Sequence, residues 1–127
     1  MRRIALLVFS ILLGACAAEP PQPKQFVVFF QVNSAKLTPE GQQVVDTIVA
    51  AIRDGKPSSV VIEGEADGAS PRDAQLADQR ATTVAGALKA AGVDPSEIVQ
   101  HAALVSPAQQ DAAAQIATHK VTVQLMP

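Results

Sequence analysis

The chain has 127 residues, one cysteine, no tryptophan or tyrosine, and a formal net charge of −2. A chain of this length holds one small domain with one hydrophobic core. The acidic balance argues against a nucleic-acid partner, because such partners are bound through basic contacts with phosphates. With a single cysteine, no disulfide can form within the chain.

The first residues have the pattern of an export signal. Arg2 and Arg3 precede an apolar run at residues 4–13, and small residues follow. This is the order of charged, apolar and small residues in a secretory signal. The run is shorter than the ~20 residues that a membrane-spanning helix needs. Without Arg2 and Arg3, 8 basic residues stand against 12 acidic ones, a formal charge of −4.

The end of the apolar run reads Leu-Gly-Ala-Cys, with the cysteine at position 16. This resembles the bacterial lipoprotein signal, in which the cysteine becomes the acylated first residue of the mature chain. Ala17 follows, and a residue other than Asp there implies sorting to the outer membrane. The alternative is an ordinary cleaved signal with Cys16 nearby by chance. We expect a lipid-anchored protein whose domain faces the periplasm, with a signal peptide at 1–15, a lipidated Cys16 and flexible tether at 16–24, and one domain at 25–127.

The domain begins with an apolar, β-branched and aromatic run at 25–32, which predicts a buried strand. Thr38 and Pro39 are typical of a helix N-terminus, and the helix should run to about Asp54. Its apolar residues repeat with helical spacing. The face predicted to pack on the sheet consists of Val44, Val45, Ile48, Val49 and Ile52.

The second half repeats the alternation of strand and helix. The pattern predicts a second strand at 60–63, a second helix at 73–91 with Gly92 as its C-terminal cap, and a third strand at 98–104. A weak helix or loop should occupy 107–117, before a last strand at 121–126. This order predicts a two-layer α+β domain, with both helices on one face of a four-stranded mixed sheet.

A loop after the second strand carries the most informative motif. Asp67 stands at the carboxyl end of that strand, and Arg80 lies in the helix that follows, at four-residue steps from Leu76 and Val84. A carboxylate and a guanidinium on rigid mounts can hold a zwitterion, with Asp67 binding the ammonium and Arg80 the carboxylate. The segment resembles the signature of the OmpA-like peptidoglycan-binding domain family, I-x-G-H-T-D-x-x-G…N-x-x-L-S-x-x-R-A-x-x-V. The matching residues are Ile62, Gly64, Asp67, Leu76, Arg80, Ala81 and Val84.

The resemblance implies a β-α-β-α-β-(α)-β domain and a peptidoglycan site at Asp67, Arg80 and Asp73, where Asp73 stands in place of the family's Asn. Other departures are Glu65 for His, Ala66 for Thr, Ala77 for Ser, and Thr118-His119-Lys120 for Asn-Arg-Arg. The negative charges of Glu65 and Asp73 oppose the binding of a carboxylate. Arg72 partly offsets them.

Each of these residues also has a structural interpretation. Asp67 can cap a turn with Gly68. Arg80 can be a solvated helix residue or the partner of Asp73 or Asp78. His101 and His119 lack the spacing of metal ligands, so the sequence predicts no metal, no cofactor and no catalysis. Two functions remain: a lipoprotein that binds the peptidoglycan stem peptide and tethers the outer membrane to the wall, or a scaffold that has lost wall binding and serves as an interaction subunit of an envelope assembly.

Overall fold

Strands and helices alternate along the chain. The computed structural model describes residues 18–66, 70–104 and 119–127. The elements within them are β1 (Lys24–Phe29), α1 (Pro39–Gly55), β2 (Ser59–Ala66), α2 (Pro71–Ala90), β3 (Ile98–Leu104) and β4 (Lys120–Met126). A single 3-10 turn, Pro95–Glu97, leads into β3.

The four strands form one mixed sheet in the order β1-β4-β2-β3. β4 lies between β1 and β2 and is antiparallel to both, whereas β2 and β3 are parallel. It follows that β1 and β2 run in the same direction. The carboxyl end of β2 therefore lies at the opposite end of the sheet from Lys24, where β1 begins.

The first helix begins where the sequence predicted. The Thr38 hydroxyl accepts a hydrogen bond from the backbone N–H of Gly41 at 3.0 Å, and Pro39 occupies the first helical position. This arrangement satisfies an amide that has no partner within the helix. The buried face consists of Gly41, Val45, Ile48, Val49 and Ile52. Val44 packs against the core but is only half-buried.

The second helix has a defined cap at each end. The Ser70 hydroxyl accepts a hydrogen bond from the backbone N–H of Asp73 at 3.2 Å. At the other end, Gly92 has a φ of 98°, and the N–H of Val93 donates to the carbonyl of Leu88. Gly92 also donates to Lys89, which completes a Schellman motif. Gly92 is thus the C-terminal cap predicted from the sequence.

Both helices cover one face of the sheet, and the hydrophobic core lies between the two layers. Its members include Val28, Ile48, Ile62, Leu88 and Val123, all fully buried. The predicted two-layer α+β fold is therefore confirmed.

Gly64 sets how closely α2 approaches β2. A Cβ atom at this position would lie 2.1 Å from the carbonyl oxygen of Ala77 and 3.2 Å from the Cβ of Ala81. Only glycine fits at such a separation, because no side-chain atom can approach a backbone oxygen so closely. The motif residues Gly64 and Ala81 thus act in helix–sheet packing.

The element boundaries differ from the predictions by a few residues. β1 ends at Phe29, because the chain turns afterwards: Ser34 donates to the carbonyl of Gln31, and Asn33 has a φ of 54°. α2 begins at Pro71 because Ser70 is its cap. β2 extends to Ala66. The predicted signal and Cys16, and the weak helix or loop at 107–117, lie outside the described residues.

Candidate functional site

Arg80 is a buried arginine at the carboxyl end of β2. Its relative solvent exposure is 0 %, although a cation is rarely found without access to water. The guanidinium donates three hydrogen bonds to main-chain carbonyls, from Nε to Ser34 at 2.9 Å, from Nη1 to Glu65 at 3.1 Å and from Nη2 to Gln31 at 3.2 Å. The interpretation of Arg80 as a solvated helix residue is therefore wrong.

The contacts of Arg80 join two separate parts of the site. Ser34 and Gln31 belong to the loop after β1, whereas Glu65 is the penultimate residue of β2. The guanidinium carbon also lies 5.7 Å from the centre of the Phe30 ring, within the range of a cation–π contact. A neighbouring contact, from the Thr83 hydroxyl to the carbonyl of Ala35 at 2.8 Å, holds the same loop. α2 therefore fixes the position of the β1–α1 loop relative to the end of β2.

The other two residues of the predicted clamp have different placements. Asp67 lies outside the described residues. Asp73 is in the first turn of α2, where its carboxylate accepts a hydrogen bond from the Ser70 hydroxyl. It stands seven residues before Arg80, about 10 Å along the helix axis. The two residues therefore lie about two helical turns apart, with Asp73 half-buried in the first turn of α2 and Arg80 fully buried.

Glu65 forms an ion pair with Lys120 across the sheet. The Nζ of Lys120 lies 3.7 Å from Oε2 of Glu65, and both side chains keep about a quarter or less of their surface exposed. Burial raises the pKa of the Glu65 carboxyl above its ordinary value of 4.5, and Glu63 adds to the rise while Lys120 opposes it. An ion pair thus stands where the family signature carries a histidine at one position and an arginine at the other.

A polar depression lies where the first half of α2 meets the loop after β1. It has a volume of about 160 Å³ and is lined by Asn33, Arg72, Gln75, Leu76 and Gln79. We call it the α2 depression. From the sequence, Arg72 was expected only as a compensating charge, and the two glutamines were not predicted. Their spacing from Arg72, three and seven residues, was the available signal, because it places them on one helix face.

No group of three or more His, Cys, Asp or Glu residues is close enough to hold a metal ion in the part of the chain that the structure describes. Among residues 18–66, 70–104 and 119–127, no helix is long and apolar enough to cross a membrane.

Comparison with solved structures gives the fold. Many share it at low sequence identity, among them the three that follow. The OmpA-like domain of FopA1 from Francisella tularensis has 20 % identity and a TM-score of 0.65, over 81 % of this chain and 72 % of that one. The peptidoglycan-associated lipoprotein from Burkholderia pseudomallei has 20 % identity and a TM-score of 0.61, over 76 % and 86 %. The cell wall anchor of the type VI secretion system (T6SS) from Pseudomonas aeruginosa has 22 % identity and a TM-score of 0.65, over 80 % and 81 %.

A search of curated proteins found no match. The model of the OmpA family matches residues 29–121, which is most of the chain and includes every residue of the motif after the second strand. The chain therefore belongs to the OmpA family.

Proposed function

We propose that this protein is an outer-membrane lipoprotein whose domain binds the peptidoglycan stem peptide without catalysis and tethers the membrane to the wall. The observation that carries the proposal is the retained pair of Asp67 and Arg80 within a chain of the OmpA family. The similar folds of a peptidoglycan-associated lipoprotein and of a cell wall anchor support the same partner.

The chemistry of the pair fits an amino acid that carries both charges. The carboxylate of Asp67 attracts the ammonium group of the diamino acid, and the charge of Arg80, which is buried and held by main-chain carbonyls, attracts its carboxylate without direct contact. Arg80 has a second role, because its bonds to Ser34, Gln31 and Glu65 hold the walls of the site at a fixed separation. A site whose walls are fixed before binding loses less free energy in ordering.

Retention on purified cell-wall sacculi tests this function. The full chain, purified in detergent, should be retained, and Asp67→Asn should reduce its affinity by ~2 kcal/mol or more. Asp54→Asn is the matched control, since this exposed carboxylate lies at the end of α1, near the start of β2 and far from its carboxyl end. Asp73→Asn should strengthen retention, because it removes a negative charge near the carboxylate subsite. Equal retention of Asp67→Asn and the control would reject the clamp.

The lipid anchor requires its own test. We propose that Cys16 is acylated and that residues 17–24 form a short tether, rich in proline and alanine. Stable anchoring follows because each buried acyl methylene contributes ~0.8 kcal/mol. Cys16→Ser should abolish the incorporation of a labelled fatty acid and move the protein out of the outer-membrane fraction. Equal labelling of wild type and variant would reject the anchor.

The Glu65–Lys120 pair favours a second candidate function, a scaffold in an envelope assembly. It replaces family residues at the edge of the site and adds a carboxylate there. In that case the wild type would show no retention on sacculi even at low salt, and Asp73→Asn would not create any. Affinity capture from solubilised envelopes would then recover a specific protein partner.

A further inference from the structure

We infer that the α2 depression is a second subsite that binds the free C-terminal carboxylate of a short peptide ending in a small apolar residue. The inference rests on the proposed function, since it specifies which form of stem peptide this protein prefers. Stem peptides that are not cross-linked end in an alanine with a free carboxylate, whereas cross-linking converts the carboxylate of the donor peptide into an amide.

The depression is formed by two elements whose relative position is fixed. Arg80 donates to Ser34 and Gln31, the two residues that flank the turn at Asn33. Within that turn, Ser34 donates to the carbonyl of Gln31 at 3.1 Å, and Asn33 adopts a left-handed conformation with a φ of 54°. Asparagine tolerates this conformation better than most residues. The backbone at Asn33 is therefore held beside α2 before any ligand arrives, and its side chain lines the depression.

The lining of the depression matches a carboxylate and its peptide bond. The guanidinium of Arg72 provides paired N–H donors for a carboxylate. The carboxamides of Asn33, Gln75 and Gln79 both donate and accept, as the groups of a peptide bond require. Leu76, which is half-buried, offers an apolar surface for a methyl group. None of the five lining residues is acidic, which matters in a protein with a net negative charge.

The acidic residues nearest in sequence are bound elsewhere. The carboxylate of Asp73 accepts from the Ser70 hydroxyl at the helix cap. The carboxylate of Asp78 accepts from Gln100 on β3, at 3.4 Å. Arg72 is exposed and can contact a ligand directly, whereas Arg80 is buried and can act on a ligand only through its charge. The two arginines therefore have different roles, with Arg80 holding the loop and Arg72 facing solvent.

The size of the depression favours the end of a peptide over a larger ligand. Its volume of about 160 Å³ is below the ~300 Å³ at which pockets for drug-sized ligands begin. One small residue with its carboxylate suits this space, and the rest of the stem peptide would extend toward the carboxyl end of β2.

Calorimetric titration with two peptides tests the inference. The full chain in detergent is titrated with a stem tetrapeptide that ends in alanine, first as the free acid and then as the C-terminal amide. The wild type should bind the acid about tenfold more tightly, as expected for a charge-assisted hydrogen bond. Arg72→Gln should abolish this preference, and Asn33→Gly should weaken binding of both peptides while preserving the left-handed turn.

Lys89→Gln is the matched control, because it removes one exposed positive charge at the other end of the same helix. It should keep the preference of the wild type. Equal binding of acid and amide by the wild type, or an unchanged preference in Arg72→Gln, would overturn the subsite and leave the proposed function intact. Absence of binding to both peptides and to sacculi would overturn both.

Discussion

Two arginines on α2 show how position decides what one side chain does. Arg80 faces the sheet, is fully buried and donates to three main-chain carbonyls. Arg72 lies two turns nearer the N-terminus, is exposed and lines the α2 depression. The buried guanidinium has become part of the fold, because its donors satisfy carbonyls of the β1–α1 loop and of β2. The exposed one remains accessible to a ligand.

The largest expected effect is the difference in folding stability between variants of the two arginines. Arg80→Ala should lower the free energy of unfolding by ~3–5 kcal/mol, because it leaves buried carbonyls without donors and opens a cavity. Arg72→Ala should change it by no more than ~0.5 kcal/mol, as is usual for an exposed residue. Urea unfolding of the two variants measures the difference. Similar losses for both would mean that the contrast between buried and exposed arginine is wrong.

A second prediction concerns the close packing that brings Arg80 to its carbonyls. Gly64→Ala should destabilise the domain by ~3 kcal/mol, because the new methyl group would force α2 away from β2. Gly86→Ala, within α2, is the control: nothing lies within 4 Å of its added Cβ, and it should stabilise by ~0.5–1 kcal/mol. Thermal unfolding measures both. A tolerated Gly64→Ala would show that the helix can move outward without losing the arginine contacts.

The smallest effect concerns the charge of Glu65, whose carbonyl Arg80 binds. Burial raises the pKa of its carboxyl above 4.5, so the folded state favours the protonated form. Its contribution to stability is full below the ordinary pKa and is lost as the pH rises through the raised value. The stability of Glu65→Gln relative to wild type should therefore increase as the pH rises from about 4.5 through the raised pKa. Glu19→Gln, in the tether, should show no such trend.

The sequence predicted most of the fold because its signals are local. The apolar spacing of α1, the capping residues Thr38 and Ser70, and Gly92 each depend on a few neighbouring residues. The burial of Arg80 was also within reach of the sequence. Its four-residue step to Val84 places it on the apolar face of the helix, and an arginine on such a face needs partners supplied by the fold.

The α2 depression could not be predicted in this way. Asn33 and Arg72 are 39 positions apart, and only the packing of the β1–α1 loop against α2 brings them together. The carbonyl partners of Arg80 could not be predicted either, since every residue has a main-chain oxygen and no residue type indicates which one accepts. Motif residues were identified by their pattern, whereas the geometry that gives them partners came from contacts between distant segments.

The direction of the strands has a mechanical consequence. The proposed tether joins the domain at Lys24, the start of β1. The proposed wall site lies at the carboxyl end of β2, at the opposite end of the sheet. Tension between membrane and wall would therefore act along the strands. The hydrogen bonds of an antiparallel ladder lie perpendicular to its strands, so such a load shears all six residue pairs from Lys24–Leu125 to Phe29–Lys120 together. β1 would therefore resist pulling along the strands as a unit. A load applied across the strands would instead open its residue pairs one by one.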